Sequence, residues 1–268
     1  DEPRFTQPKL YESIARHKNP REIYKEKLMS EGVVETGIVK ELEKEFQQLL
    51  QDRFDEAKEI KNAKITRFLK EEWLDIERIY EPCYKESLAT NVSKNKLKSL
   101  AKFLYNISEE SKLFKKTRKL LNDRKQMIED SDSLDWSMAE LLAYGTLINE
   151  GNTIRFTGQD VQRGTFSHRH AVLKTENDET KYIPLNNIPS DKGGKIWIYN
   201  SLLSEYGVLG YEYGYSLTNP NALTIWEAQF GDFNNGAQIM IDQFIVAGED
   251  KWKTQSGLVM LMPHGYEG

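Results

Sequence analysis

Within residues 201–235, SLLSEYGVLGYEYGYSLTNPNALTIWEAQFGDFNN, several groups able to do chemistry fall close together. Glu205 lies in the first turn of an expected helix. The apolar run Ala222–Ala228 reads as a buried strand, and it passes straight into Gln229-Phe230-Gly231-Asp232-Phe233. This layout brings a carboxylate, a primary amide and two aromatic rings to one edge of a sheet. Such a set can stack on a flat heteroaromatic ring, hydrogen-bond its polar edge and exchange a proton with it.

Taken singly, each residue has a simpler reading. A glutamate in a first helical turn complements the helix dipole and contributes about 0.3–1 kcal/mol. Phenylalanines three apart usually serve packing. A glutamine and a glycine between a buried strand and a helix are less ordinary. Gly207, Gly210 and Gly214 punctuate the helix although glycine is a poor helix former, which predicts a close approach by another backbone or subunit. His168 and His170 sit in Arg163-Gly164-Thr165-Phe166-Ser167-His168-Arg169-His170. On an extended segment they point to opposite faces, so a shared metal is not expected, though one could border a site. His264, after the apolar run Leu258–Met262, is placed similarly. The sequence has no HExxH, no Walker-type loop and no dinucleotide glycine fingerprint.

The elements that would position these groups follow from periodicity. Apolar residues recur at helical spacing through 36–60, with Thr36 as a candidate cap, and through 94–129 as two amphipathic helices. Residues 8–30 read as short helical pieces. Residues 63–74 read as a further turn or two, broken by Glu81-Pro82-Cys83-Tyr84. A helix is expected over Trp136–Asn149, with Asp135 and Ser137 as candidate caps, Ser137-x-x-Glu140 as a capping box, and Gly151 as its stop. Strands are expected at Thr153–Thr157, Lys195–Tyr199, Ala222–Ala228 and Leu258–Met262, with helices from Ser201 and over about 235–246. Apolar strands alternating with helices predict an α/β fold, a parallel sheet covered on both faces, preceded by a mainly helical region. Ligands of such sheets bind beyond the carboxyl ends of the strands. Gly158-Gln159-Asp160, Asn200-Ser201, Gln229-Phe230 and Pro263-His264 all fall there.

The chain has 268 residues and a net charge of −5. Residues 1–130 carry 28 Lys and Arg against 25 Asp and Glu, and residues 131–268 carry 9 against 17. The lysines of the first part are interleaved with glutamates, a solvated helical surface rather than a nucleic-acid-binding patch. Cys83 is the single cysteine, which rules out an internal disulfide or a thiolate metal site. No apolar run approaches the length of a membrane span.

Four segments, GQDVQRGTFSHRHAVL (158–173), SLLSEYGVLGYEYGYS (201–216), LTIWEAQFGDFNNGAQIMIDQFI (223–245) and LVMLMPHGYEG (258–268), together with the opening DEPRFTQPKLY, resemble the thiamine-diphosphate-dependent decarboxylating component of 2-oxoglutarate dehydrogenase. The resemblance is dense over 134–268 and thin over 36–130. It implies that residues 1–60 are the helical tail of a diphosphate-binding domain and 61–130 a helical linker or insertion. Residues 131–268 would be a pyrimidine-binding domain, incomplete at its C-terminal end. It further implies a homodimer with shared active sites, and a lipoyl-bearing succinyltransferase as partner. Glu205 would hydrogen-bond a nitrogen of the aminopyrimidine from a poorly solvated position. Phe233 would stack on that ring, Phe230 would line the pocket, and Gln229 would offer amide contacts. Asp160 would lie at the cofactor site, and His170 and His264 would border it. Magnesium and diphosphate ligands would lie outside this segment, so residues 1–268 alone would not turn over. The compartment implied is bacterial cytoplasm, or mitochondrial matrix in a eukaryote. A related 2-oxo acid decarboxylase or carboligase would share the same site, and a non-catalytic interaction subunit would keep the sheet only as scaffold.

Overall fold

The computed structural model of the protein describes residues 2–62, 68–76, 87, 89–131 and 133–265. The expected break at residues 81–84 lies outside them, as does Cys83. The chain divides into two compact units, residues 1–65 and 66–268.

The first unit is helical. A 3-10 turn at Pro3–Phe5 precedes α1 (Pro8–Arg16), α2 (Pro20–Ser30) and α3 (Thr36–Glu59). Proline opens both α1 and α2, where its missing N–H costs nothing. Asn19 caps α2 by accepting from the Arg21 backbone N–H at 2.9 Å. Thr36 is the first helical residue of α3 rather than its cap; that position belongs to Glu35, whose side chain makes no capping bond. Lys25 reaches Glu43 at 3.2 Å, tying α2 to α3.

The second unit contains α4 (Lys94–Tyr105), α5 (Lys115–Glu129), α6 (Trp136–Asn149), β1 (Ile154–Gly158), β2 (Leu173–Lys174), β3 (Lys181–Tyr182), β4 (Ile196–Asn200), α7 (Glu205–Thr218), β5 (Leu223–Glu227) and β6 (Val259–Leu261). The main sheet has the order β4-β1-β5-β6, and its pairs are parallel. The sheet and its four strands appear where the apolar runs between the helices place them, within a residue or two. The antiparallel pair β2–β3 is too short to leave a periodic signal.

Strand alternation divides the core. Ile154, Phe156, Ile196, Ile198 and Ile225 face a layer built by α4, α5 and α6. Trp226 and Ala228 face α7 through Val208 and Leu209. The two helices assigned from sequence to a linker, α4 and α5, thus share one core with the sheet through Leu100, Leu104, Leu121 and Ile128. Asp135 caps α6, accepting from the Met138 N–H at 2.7 Å. The expected capping box does not form, because Ser137 is already inside the helix and its hydroxyl donates to the His168 carbonyl. Gly151 ends the helix at φ 98°, as its position predicts.

Residues 231–252 are not one regular helix. A 3-10 segment Gly231–Ala237 leads through Gln238–Met240 into a π-helical segment Ile241–Val246, then a short helix Gly248–Trp252. Residues 68–76 form turns rather than helix, with the Trp73 indole donating to the Leu217 carbonyl at 2.8 Å.

Candidate active site

Because the four main strands are parallel, their carboxyl ends share one edge of the sheet, at Gly158, Asn200, Glu227 and Leu261. The loops leaving that edge are stitched together. Ser201 N–H donates to the Gly158 carbonyl at 2.8 Å, and Gly231 N–H donates to the Pro263 carbonyl at 2.8 Å. The Thr165 hydroxyl donates to the Gln229 carbonyl.

Glu205 opens α7, behind the cap Ser204, whose Oγ accepts from Gly207 N–H at 3.4 Å. Its carboxylate has no hydrogen bond or ion pair among the described residues. It is half-buried rather than sealed from water, and the preceding Leu202 and Leu203 are exposed as well. A Cβ on Gly236 would lie 3.9 Å from Glu205 Oε2. Phe233 is three residues before Gly236 in the 3-10 segment, and 3-10 geometry eclipses such pairs, so both share the face toward Glu205.

The rings of Phe230 and Phe233 meet edge to face at 5.8 Å, and Phe166 meets Phe230 at 6.2 Å. Phe230 and Phe233 remain 40% and 42% exposed, a high value for phenylalanine at the end of a buried strand. The Gln229 side-chain amide has no partner among the described residues. Gln159, after β1, donates to the Leu203 carbonyl at 2.9 Å, while its Oε1 is buried without a partner.

The remaining candidates are placed less simply. Asp160 has φ 60° and spends its carboxylate on Arg163. His168 and His170 are not on an extended strand. Ser167 and His170 adopt positive φ, 54° and 38°, so alternation does not govern where the rings point. Burial first, then the Arg124 and Arg163 charges, holds His170 below the ordinary imidazole value. His264 fixes its ring through Nδ1, 2.8 Å from the Met262 carbonyl, and turns its Cε1 end toward Gly231. The α7 glycines do not meet another backbone among the described residues. A Cβ on Gly210 would lie 3.0 Å from Met240 Sδ, whereas one on Gly214 would meet nothing within 4 Å. Among the described residues no group of three or more His, Cys, Asp or Glu is arranged to hold a metal ion.

The family model described as transketolase, pyrimidine binding domain, matches residues 132–268. The chain belongs to the transketolase pyrimidine-binding domain family. A second model, dehydrogenase E1 component, matches residues 1–66. The 2-oxoglutarate dehydrogenase E1 component of Brucella anthropi is 44% identical over 269 residues, covering all of this chain and 27% of that protein. The mitochondrial 2-oxoglutarate dehydrogenase of Schizosaccharomyces pombe is 44% identical over 270 residues, again 27% of its length. The chain therefore spans about a quarter of the relatives it matches.

Beside the expected residues, the described part of the pyrimidine-binding domain holds two arginine–glutamate forks, each on a buried glutamate, that sequence reasoning passed over. Arg155 on β1 forks onto Glu212 of α7 at 2.7 and 2.9 Å, within cation–π range of Tyr199, Tyr211 and Tyr215. On the opposite face Arg169 forks onto Glu227, the last residue of β5, with Nη1–Oε1 at 2.9 Å. Burial raises the Glu227 carboxyl and Arg169 opposes that rise. Burial also opposes the Arg169 charge, but the bonds to Glu227 and the charges of Glu140 and Glu227 outweigh it. A signal for both pairs was present. Arg155 interrupts the apolar strand Thr153–Thr157, and Glu227 ends another, and a charge in a buried-type strand requires a partner.

Proposed function

We propose that this chain supplies the pyrimidine-binding half of the active site of a thiamine-diphosphate-dependent 2-oxoglutarate dehydrogenase E1 component. The observation that carries the reading is Glu205, an unpaired carboxylate in the first turn of α7, facing Gly236 and the Phe233 side of the 3-10 segment. Similarity over the whole of this chain, 27% of each relative's length, to relatives named for 2-oxoglutarate dehydrogenase supports the choice of reaction.

The residues present fit an aminopyrimidine. A free carboxylate, the free amide of Gln229, the orphaned Gln159 Oε1 and the half-exposed ring of Phe233 offer a proton carrier, polar contacts and a stacking surface. When bound, thiamine diphosphate would supply the carbanion chemistry that releases carbon dioxide from a 2-oxo acid. Glu205 would hold a proton at a carboxylate oxygen and share it with a ring nitrogen. Phe233 would stack on the ring, and Phe230 with Phe166 would exclude water from one side. Asp160, His170 and His264 would border the site. Magnesium and the diphosphate would be held by residues outside this chain, a second copy completing each site. A lipoyl-bearing succinyltransferase would receive the succinyl group. The compartment would be the bacterial cytoplasm or the mitochondrial matrix.

The test is Glu205→Gln in the protein that carries this chain. Turnover of 2-oxoglutarate should fall by about 100-fold or more, the scale of a lost proton-transfer group, with the thermal midpoint nearly unchanged. Undiminished turnover would refute the reading. Release of a free aldehyde with no dependence on a lipoyl acceptor would replace the dehydrogenase by a decarboxylase.

A further inference from the structure

Arg169 lies between the two histidines of the loop 159–172 yet points away from solvent, with its side chain 1% exposed. Its guanidinium is shared among three elements. Nη1 donates to the Val161 carbonyl at 2.9 Å, at the start of its own loop, and to Glu227 Oε1 at 2.9 Å, at the end of β5. Nε donates to Glu140 Oε1 of α6 at 3.1 Å. The ring of Phe156 on β1 lies 4.5 Å beneath it. Its own carbonyl accepts from Arg124 of α5. A planar fork with five donors can satisfy these partners together, whereas an ammonium cannot.

What this loop carries gives the arrangement a consequence for the site. Thr165 donates to the Gln229 carbonyl, Phe166 packs edge-on against Phe230, and Asp160 and His170 occupy left-handed backbone. Among the described residues, the side-chain bonds that hold the loop against the end of β5 are that hydroxyl, that ring contact and the Arg169 fork onto Glu227, while Gln162 ties it to Asn200 and Ile198 of β4 and Ser137 of α6 donates to the His168 carbonyl. We propose that Arg169 is a positioning residue, which clamps the 159–172 loop to the end of β5 and so sets the wall of the site formed by Thr165, Phe166, Gln229 and Phe230. The proposal rests on the reading of that edge as an active site, but its structural readout does not.

Three variants of the protein that carries this chain separate positioning from simple charge pairing: Arg169→Lys, Arg169→Met, and Arg169→Met with Glu227→Leu. The double variant replaces the buried pair by apolar side chains of similar volume, a change that is often neutral for stability. Hydrogen–deuterium exchange of the peptides covering 159–172, the thermal midpoint, and kcat and KM with 2-oxoglutarate are measured on each. The expected result for the double variant is a midpoint close to the parent, exchange of the loop faster by about tenfold while β1 and β5 stay protected, and kcat lower by about 100-fold, the scale set by misplacing a site by 1 Å. KM should change by only a few-fold. Arg169→Lys keeps a charge for Glu227 but not the fork, so it should also loosen the loop.

Parent-like loop exchange and kcat in the double variant would overturn the proposal, leaving Arg169 as a counter-ion for Glu227. If the double variant does not fold, Arg169→Lys decides, and a parent-like loop in it overturns the clamp. A parent protein without turnover on 2-oxo acids would sink the proposed reaction instead, while the exchange data would still judge the clamp.

Discussion

Replacing Gly231 by alanine probes the site through a contact that should cost little stability. Gly231 is not in the left-handed region, so its backbone accepts an L side chain. The new Cβ, however, would lie 2.0 Å from His264 Cε1, 2.6 Å from Nδ1 and 2.7 Å from Nε2. Carbon contacts settle at about 3.5–4.0 Å, so the imidazole must retreat by about 1.5 Å. Retreat breaks the 2.8 Å bond between Nδ1 and the Met262 carbonyl, an exposed hydrogen bond worth about 1 kcal/mol. In a unit of this size that lowers the thermal midpoint by about 2–4 °C. If His264 borders the site, turnover should fall far more than this, by about 100-fold, since displacements near 1 Å have that effect. His264→Ala should do the same. The double variant should be no worse than either alone, because each change removes the same ring from the same place. Thermal melts beside kcat and KM on the three variants and the parent complete the cycle. Full turnover in Gly231→Ala, or effects that simply add, would refute the placement of His264 at the site.

Two further outcomes follow from burial. His168 is held below the ordinary imidazole value by burial, then by the Arg169 charge, and His170 by burial, then by Arg124 and Arg163. The folded chain therefore binds these protons less readily than the unfolded chain, whose imidazoles titrate near about 6.5. Their stability contribution is complete above that pH and is lost as pH falls toward the folded values. A thermal midpoint that declines from pH 7 to pH 5, with the decline reduced by His168→Gln and His170→Gln together, is the expected result. Gly158→Ala should be far more damaging than Gly231→Ala. Its Cβ would sit 2.1 Å from the Glu227 carbonyl oxygen, a backbone atom of the neighbouring strand, at φ 152°. The sheet edge must separate to admit it, so soluble expression or the thermal midpoint should collapse.

Much of this architecture is written in local pattern. The helix Trp136–Asn149 is announced by its cap Asp135 and its stop Gly151, and the four parallel strands by continuous apolar runs, because an element covered on both faces needs apolar side chains throughout. The parallel arrangement then places Gly158, Asn200, Gln229 and His264 along one edge without further information. Three kinds of feature were not legible. The 231–252 segment has a helical composition, yet its winding passes from 3-10 to π, which depends on what it packs against. The histidine loop reads as extended only until Ser167 and His170 are seen at positive φ, a conformation that their side chains do not announce. The Arg169–Glu227 partnership joins residues 58 apart, and spacing along the chain cannot pair them.

The second buried pair bears directly on Glu205. Glu212 lies seven residues along α7 from Glu205, close to two helical turns, so the two carboxylates are on nearly the same face, about 10 Å apart. The apolar layer beneath α7 holds the helix against the sheet but would tolerate small rotation or sliding. The fork between Glu212 and Arg155 fixes both, since its two bonds align only at one rotation and one height along β1. Glu212→Gln leaves Arg155 with 19% exposure and no counter-charge, and should cost about 3 kcal/mol, the lower end for a broken buried pair. That loss alone would not separate stability from function. Arg155→Met with Glu212→Leu does, because the pair becomes apolar and the midpoint should return to within a few degrees of the parent. If the fork sets the position of Glu205, this stable double variant will still turn over more slowly, by tenfold or more, and Arg155→Lys with Glu212 intact will recover only part of the rate. Parent-like turnover in the apolar pair would mean that packing alone holds α7 in place and that the ion pair serves the core rather than the carboxylate two turns away.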